Sequence, residues 1–173
     1  MDIFAQLLVA SLASGLTLFG AVYMVLRKML AAESYRRNAR LLAAAGEITL
    51  PLRLQAYERL LMLLERISLE ALVLRLRRPD ATNAELHGEL IAAVRSEFEH
   101  NLSQQIYVST ELWSAIAMAK NSVLARINAC AAQLSPGDAS IQLAQMLLEW
   151  HVNNELPTAN AILQLKKEVA RMF

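Results

Sequence analysis

One cysteine, five glycines, four prolines and an aromatic content of 6% make this 173-residue chain poor in several residue types that structure and chemistry commonly draw on. The lone Cys130 excludes an intrachain disulfide and a metal site built from several thiolates, and it reads as a small apolar core residue. So few Gly and Pro supply few turns, which favours long helices over many short strands, and no strand is expected. The chain has no Gly-x-Ser-x-Gly, no Gly-rich phosphate loop following a strand, and no Cys with a placed His. No catalytic residue, enzyme activity or cofactor is therefore read from it. Surplus charge is missing too: the formal net charge is +1, and from Leu41 onward twelve Lys or Arg face fourteen Asp or Glu. Phosphate neutralisation needs cations gathered on one face, so no nucleic acid partner is expected.

What the chain does have is a run of twenty-four uncharged residues, Ile3 to Leu26, closed by Arg27 and Lys28. At ~1.5 Å per residue it would extend about 36 Å, enough for a hydrocarbon core of roughly 30 Å. The reading is a transmembrane anchor over residues 1–28, with the lipid bilayer as partner through Ile3 to Leu26. A cleaved signal peptide fits less well, because Asp2 replaces the usual basic n-region and the run is too long, although Ser11 and Ala13 loosely resemble a cleavage site. All flanking cations follow the run. That places the N-terminus outside and the rest in the cytoplasm, as a single-pass protein of the inner membrane. Small residues four apart (Ser11 and Gly15; Ala13, Thr17 and Ala21) permit close helix packing, so self-association or docking on another span stands beside the plainer reading of ordinary composition.

Residues 29–46 read as a helical stalk that Gly46 stops. Arg27 and Lys28 would meet headgroups, and Arg36, Arg37 and Arg40, further along, would meet protein or water. Residues 47–173 read as one cytoplasmic multi-helix bundle, giving an all-α fold. Thr49 serves as N-cap, with Pro51 in the first turn of a central Leu-rich helix to Ile67. Ser68 caps a short successor ending near Arg75, Arg77 and Arg78, where the cations suit the helix dipole. Thr82 and Glu85 form a capping box for a helix to Tyr107. Its stripe is Leu86, Leu90, Val94, Phe98, Leu102 and Ile106. Ser109 caps a helix through Trp113, Ile127 and Leu134, another follows Ser135-Pro136-Gly137 to Asn153, and a last one follows Pro157.

Glu97 and His100 have the i, i+3 spacing of carboxylate-bridged metal bundles, but a second such motif is missing and both project away from the apolar stripe. No metal site is read. Three cations, Arg53, Arg95 and Lys120, fall on apolar arcs, and a buried cation must pair or reach water. The structural reading is a buried polar network of Arg53, Glu58, Arg95, Glu99, Asn101, Gln105 and Lys120, with Arg95 held by Glu99 or by a carboxylate of the Thr49 helix. The alternative is a pocket in which the cations hold an anion or a lipid headgroup.

PLRLQAYERLLMLLERI, Pro51 to Ile67, and EFEHNLSQQIYVSTELW, Glu97 to Trp113, with Lys120 beyond, resemble an uncharacterised family of single-pass bacterial membrane proteins. That resemblance implies the anchor and the helical domain, and no catalytic residue. Together the readings give a membrane-anchored helical interaction or accessory module of a membrane complex, with a protein partner or a second copy as its ligand.

Overall fold

The computed structural model describes residues 3–172, with the backbone alone at a number of positions between 5 and 45. It consists of six α-helices: α1 (Ile3–Arg66), α2 (Leu69–Leu76), α3 (Asn83–His100), α4 (Thr110–Ala131), α5 (Ile141–Asn153) and α6 (Ala159–Ala170). A 3-10 segment, Leu102–Tyr107, joins α3 to α4. Among the described residues there is no strand, and one isolated antiparallel bridge links Thr82 with Ala139. The chain divides into two compact units, residues 1–49 and 50–173.

In the first unit, α1 carries large apolar side chains that are exposed, among them Ile3, Phe4, Leu7, Leu16, Phe19, Tyr23 and Met29. At 100° per residue these positions span about 220° of the circumference, and the exposed Met24 and Tyr35 fall in the remaining arc, so the apolar side chains are not confined to one stripe. Among the described residues no helix is long and apolar enough to cross a membrane, which overturns the expected transmembrane anchor and single-pass inner-membrane location. Freedom from charge is a weaker property than apolarity. Ten of the twenty-four residues from Ile3 to Leu26 are Ala, Gly, Ser, Thr or Gln, which add length but little transfer energy. The side chains of Ser11, Ala13, Thr17 and Ala21, on which close packing was expected, and that of Arg40 lie outside the described residues.

Gly46 does not stop α1, and Thr49 lies within the helix instead of capping a new one. No glycine adopts positive φ, so the left-handed C-cap that Gly46 could have formed is not made. Pro51 sits inside α1, where its missing N–H removes a single backbone bond.

The second unit buries Leu60 and Leu64 of α1 and Ile67 just after it with Leu72 of α2, Leu86 and Leu90 of α3, Ile116 and Ile127 of α4, Leu143 of α5 and Leu165 of α6. Helix α3 packs on α4, α2 on α5, and α4 also on α6. The starts follow their caps. Ser68 Oγ accepts from Ala71 N–H, Ser109 Oγ accepts from Leu112 N–H, and both halves of the Thr82–Glu85 box are formed. Every otherwise orphaned N–H in the first turn of α3 is satisfied. Asn83 and Ala84 N–H donate to the carbonyls of Asp138 (2.8 Å) and Pro136 (3.0 Å), Glu85 N–H to Thr82 Oγ1 (3.3 Å) and Leu86 N–H to Thr82 O (3.0 Å).

The expected helix to Tyr107 ends at His100 instead. The buried Asn101 donates its side-chain amide to Glu97 O at 2.9 Å and its backbone N–H to Phe98 O at 3.1 Å, which tightens the chain into the 3-10 segment. Leu102 and Ile106 thereby leave the stripe and are exposed.

Candidate functional site

Two segments, α1 and the N-cap of α4, converge on the carboxylate of Glu168 in α6. Arg53 and Tyr57, one turn apart on α1, face it from one side. Ser109, the N-cap of α4, faces it from another, and Tyr107 supplies a carbonyl. Tyr57 Oη donates to Glu168 Oε1 at 2.7 Å and accepts from Arg53 Nη2 at 2.9 Å, so the hydroxyl relays between cation and acid. Ser109 gives the carboxylate two more donors, N–H to Oε1 at 3.0 Å and Oγ–H to Oε2 at 2.7 Å. Arg53 Nη2 stands 3.9 Å from Oε1, an ion pair rather than a hydrogen bond, and its Nε donates to Tyr107 O at 3.2 Å.

Burial alone would push the Glu168 carboxyl upward. The Ser109 and Tyr57 hydrogen bonds, with Arg53 nearby, outweigh it and hold the group below its ordinary value. For Tyr57, burial and the bond to Glu168 push the phenol upward, against a smaller opposing pull from Arg53. The hydroxyls of Tyr57 and Ser109, the Ser109 N–H and the Arg53 Nε all donate to acceptors within the cluster. The arrangement is a clamp between α1, α4 and α6, beside a shallow groove of about 520 Å³ lined by Leu112, Gln164 and Arg171.

The cations expected to share one network are separate. Arg53 joins the cluster, with Glu168 as its acid in place of Glu58, which is exposed along with Glu65. Arg95 and Glu99 are both exposed, so the expected buried pair is not formed. Its cause is the early end of α3, which removes Leu102 and Ile106 from either side of Arg95 in projection. Lys120 lies over the Phe98 ring, 4.6 Å from the centroid, and Phe98 in turn stacks on Trp113 at 5.3 Å. Asn101 is buried but turned to its own helix, and Gln105 is exposed and bonds Leu102 O. The three cations therefore do not line one pocket.

Glu97, weighed above as a metal ligand, pairs with Arg66 (2.5 Å) and Arg75 (3.9 Å). Among the described residues no group of three or more His, Cys, Asp or Glu is placed to hold a metal ion. Tyr57, Ser109 and Glu168 did not emerge from the sequence as a group. A signal for Glu168 was present: Ala161, Leu165, Glu168 and Met172 recur at i, i+4, i+7 and i+11, placing an acid on the buried face of α6.

No curated protein and no solved structure matches this chain. Residues 2–172 match a family of unknown function, DUF7935, and the chain belongs to that family. This agrees with the resemblance to an uncharacterised family and adds neither a bacterial source nor a membrane span.

Proposed function

We propose that this member of the family is a helical interaction module, which acts by seating the N-terminal part of α1 among apolar helices of a partner protein. The observation that carries this reading is the all-round exposure of apolar side chains on that part of α1, with Ile3 75% and Leu16 77% exposed. A single stripe would call for one neighbour, whereas an all-round apolar helix needs to be enclosed. Gly15 and Gly20 have open space around them, which lets a second helix approach closely. The second unit offers no comparable feature: its exposed apolar residues, such as Leu74, Met118 and Val152, come from different helices, as is ordinary on a protein surface. Its polar cluster ties α1, α4 and α6 together and serves as support.

Photocrosslinking amino acids placed at Leu16 and Phe19 of the full chain in cells test the proposal, with the exposed Glu149 of α5 as control. Discrete protein adducts at Leu16 and Phe19, absent at Glu149, are expected. An adduct of twice the chain mass would identify the partner as a second copy. Absence of any protein adduct at both apolar positions would overturn the reading.

A further inference from the structure

Of the half-buried arginines, Arg126 stands apart. Arg53 has the carboxylate of Glu168 within 4.0 Å, and Arg66, Arg75 and Arg78 have those of Glu97 and Glu89. Arg126 forms no ion pair among the described residues. Its guanidinium carbon lies 4.2 Å from the centroid of the Trp150 ring, and its Nε is buried without an acceptor. Stacking uses the face of the guanidinium and leaves its edge N–H donors unspent. A buried donor without a partner is unfavourable, so the position favours whatever supplies an acceptor.

The cleft in front of Arg126 has a volume of about 470 Å³, within the range of small-molecule sites. It is walled by Trp150 and Pro157 with Ala129, and Ser122 adds a hydroxyl. Glu155 also lines it yet is not within ion-pair distance of Arg126. We propose that this cleft, between α4 and the α5–α6 loop, is a receptor for a monocarboxylate with a small apolar body. The guanidinium edge takes the carboxylate, since that planar fork matches two carboxylate oxygens. Trp150, Pro157 and Ala129 take the body. Glu155 sets the charge limit, because its carboxylate disfavours a ligand with more than one negative charge. This site is distinct from α1 and does not rest on the proposed interaction role.

The test follows the Trp150 indole N–H resonance of the full-length chain during titration with benzoate, with benzamide as neutral isostere and inorganic phosphate as the more highly charged anion. Saturable shifts with benzoate are expected. Binding of benzamide, and binding of benzoate to Arg126→Gln, should each be weaker by about tenfold or more, as loss of a charge-assisted bidentate contact implies. No saturable response to benzoate, or equal responses to benzoate and benzamide, would overturn the proposal. If Arg126→Gln loses its helical circular dichroism, Glu155→Gln decides: it should tighten benzoate and admit phosphate. Unchanged affinity for both anions in that variant would also overturn it.

Discussion

Tyr57 and Glu168 lie 111 residues apart in sequence and are joined by a 2.7 Å hydrogen bond, with the phenol donating and the carboxylate accepting. Removing the acid leaves Tyr57 and Ser109 without their shared acceptor and Arg53 without its ion-pair partner. Glu168→Ala should therefore destabilise the chain by about 1–3 kcal/mol, read as a lower urea midpoint with unchanged slope. A stability equal to wild type would show that the cluster contributes nothing to the fold.

The same carboxylate predicts an acid limb. Because its folded pKa is held below the ordinary value, Glu168 contributes stability that is fully present above the unfolded carboxylate pKa. That contribution is lost as pH falls through the lower folded pKa. Melting temperatures of wild type and Glu168→Gln should thus converge on acidification and separate again towards neutrality. Parallel curves across that range would contradict the assignment. Tyr57, raised by burial and by Glu168, acts at the other end: its contribution is present below the unfolded phenol pKa and lost as pH rises through the higher folded one.

Coupling between Tyr57 and Glu168 can be isolated by a double-mutant cycle. Tyr57→Phe keeps the buried ring and deletes the donor, which should cost on the order of 1 kcal/mol. In the Glu168→Gln background the cost should shrink, since the charge-assisted bond is already weakened. Strict additivity would mean that the two side chains do not communicate.

Arg53 and Arg95 occupy similar apolar arcs in projection and should respond differently. Arg53→Ala removes the bonds to Tyr57 and Tyr107 and should cost about 1 kcal/mol. Arg95→Ala, at an exposed site, should stay within about 0.5 kcal/mol of wild type. Thermal unfolding of the two variants side by side decides this, and a larger loss at Arg95 would reverse the ranking.

Caps were legible because each is local chemistry: Ser68, Thr82 and Ser109 hold helix starts with side chains that reach three residues ahead. The all-α class followed from the dearth of Gly and Pro. Asn101 was not legible as a break, because an Asn within a periodic stripe costs a helix little, and only its bond to Glu97 O reveals the tightened turn. Gly46 misled in the opposite direction: α1 runs through it although Ile48, Thr49 and Pro51 follow closely, and nothing local marks that continuation. The Glu168 cluster depends on contacts between residues as much as 111 positions apart, which no local window contains. Arg53 stands on an apolar arc and pairs with an acid, but that acid comes from α6, 115 positions along the chain.

The first turn of α3 has a kinetic meaning. Two of its amide protons are bound by the carbonyls of Pro136 and Asp138, more than fifty residues downstream, and the buried Asn83 side chain reinforces the joint by donating to Ser135 O and accepting from Leu143 N–H. A helix completed by such a distant loop cannot finish forming until that loop has arrived, so α3 and α5 gain their last bonds in one event. Opening should be shared in the same way: the amide protons of Asn83, Ala84 and Leu143 are expected to exchange with solvent as one cooperative unit, and clearly different protection among the three would contradict this.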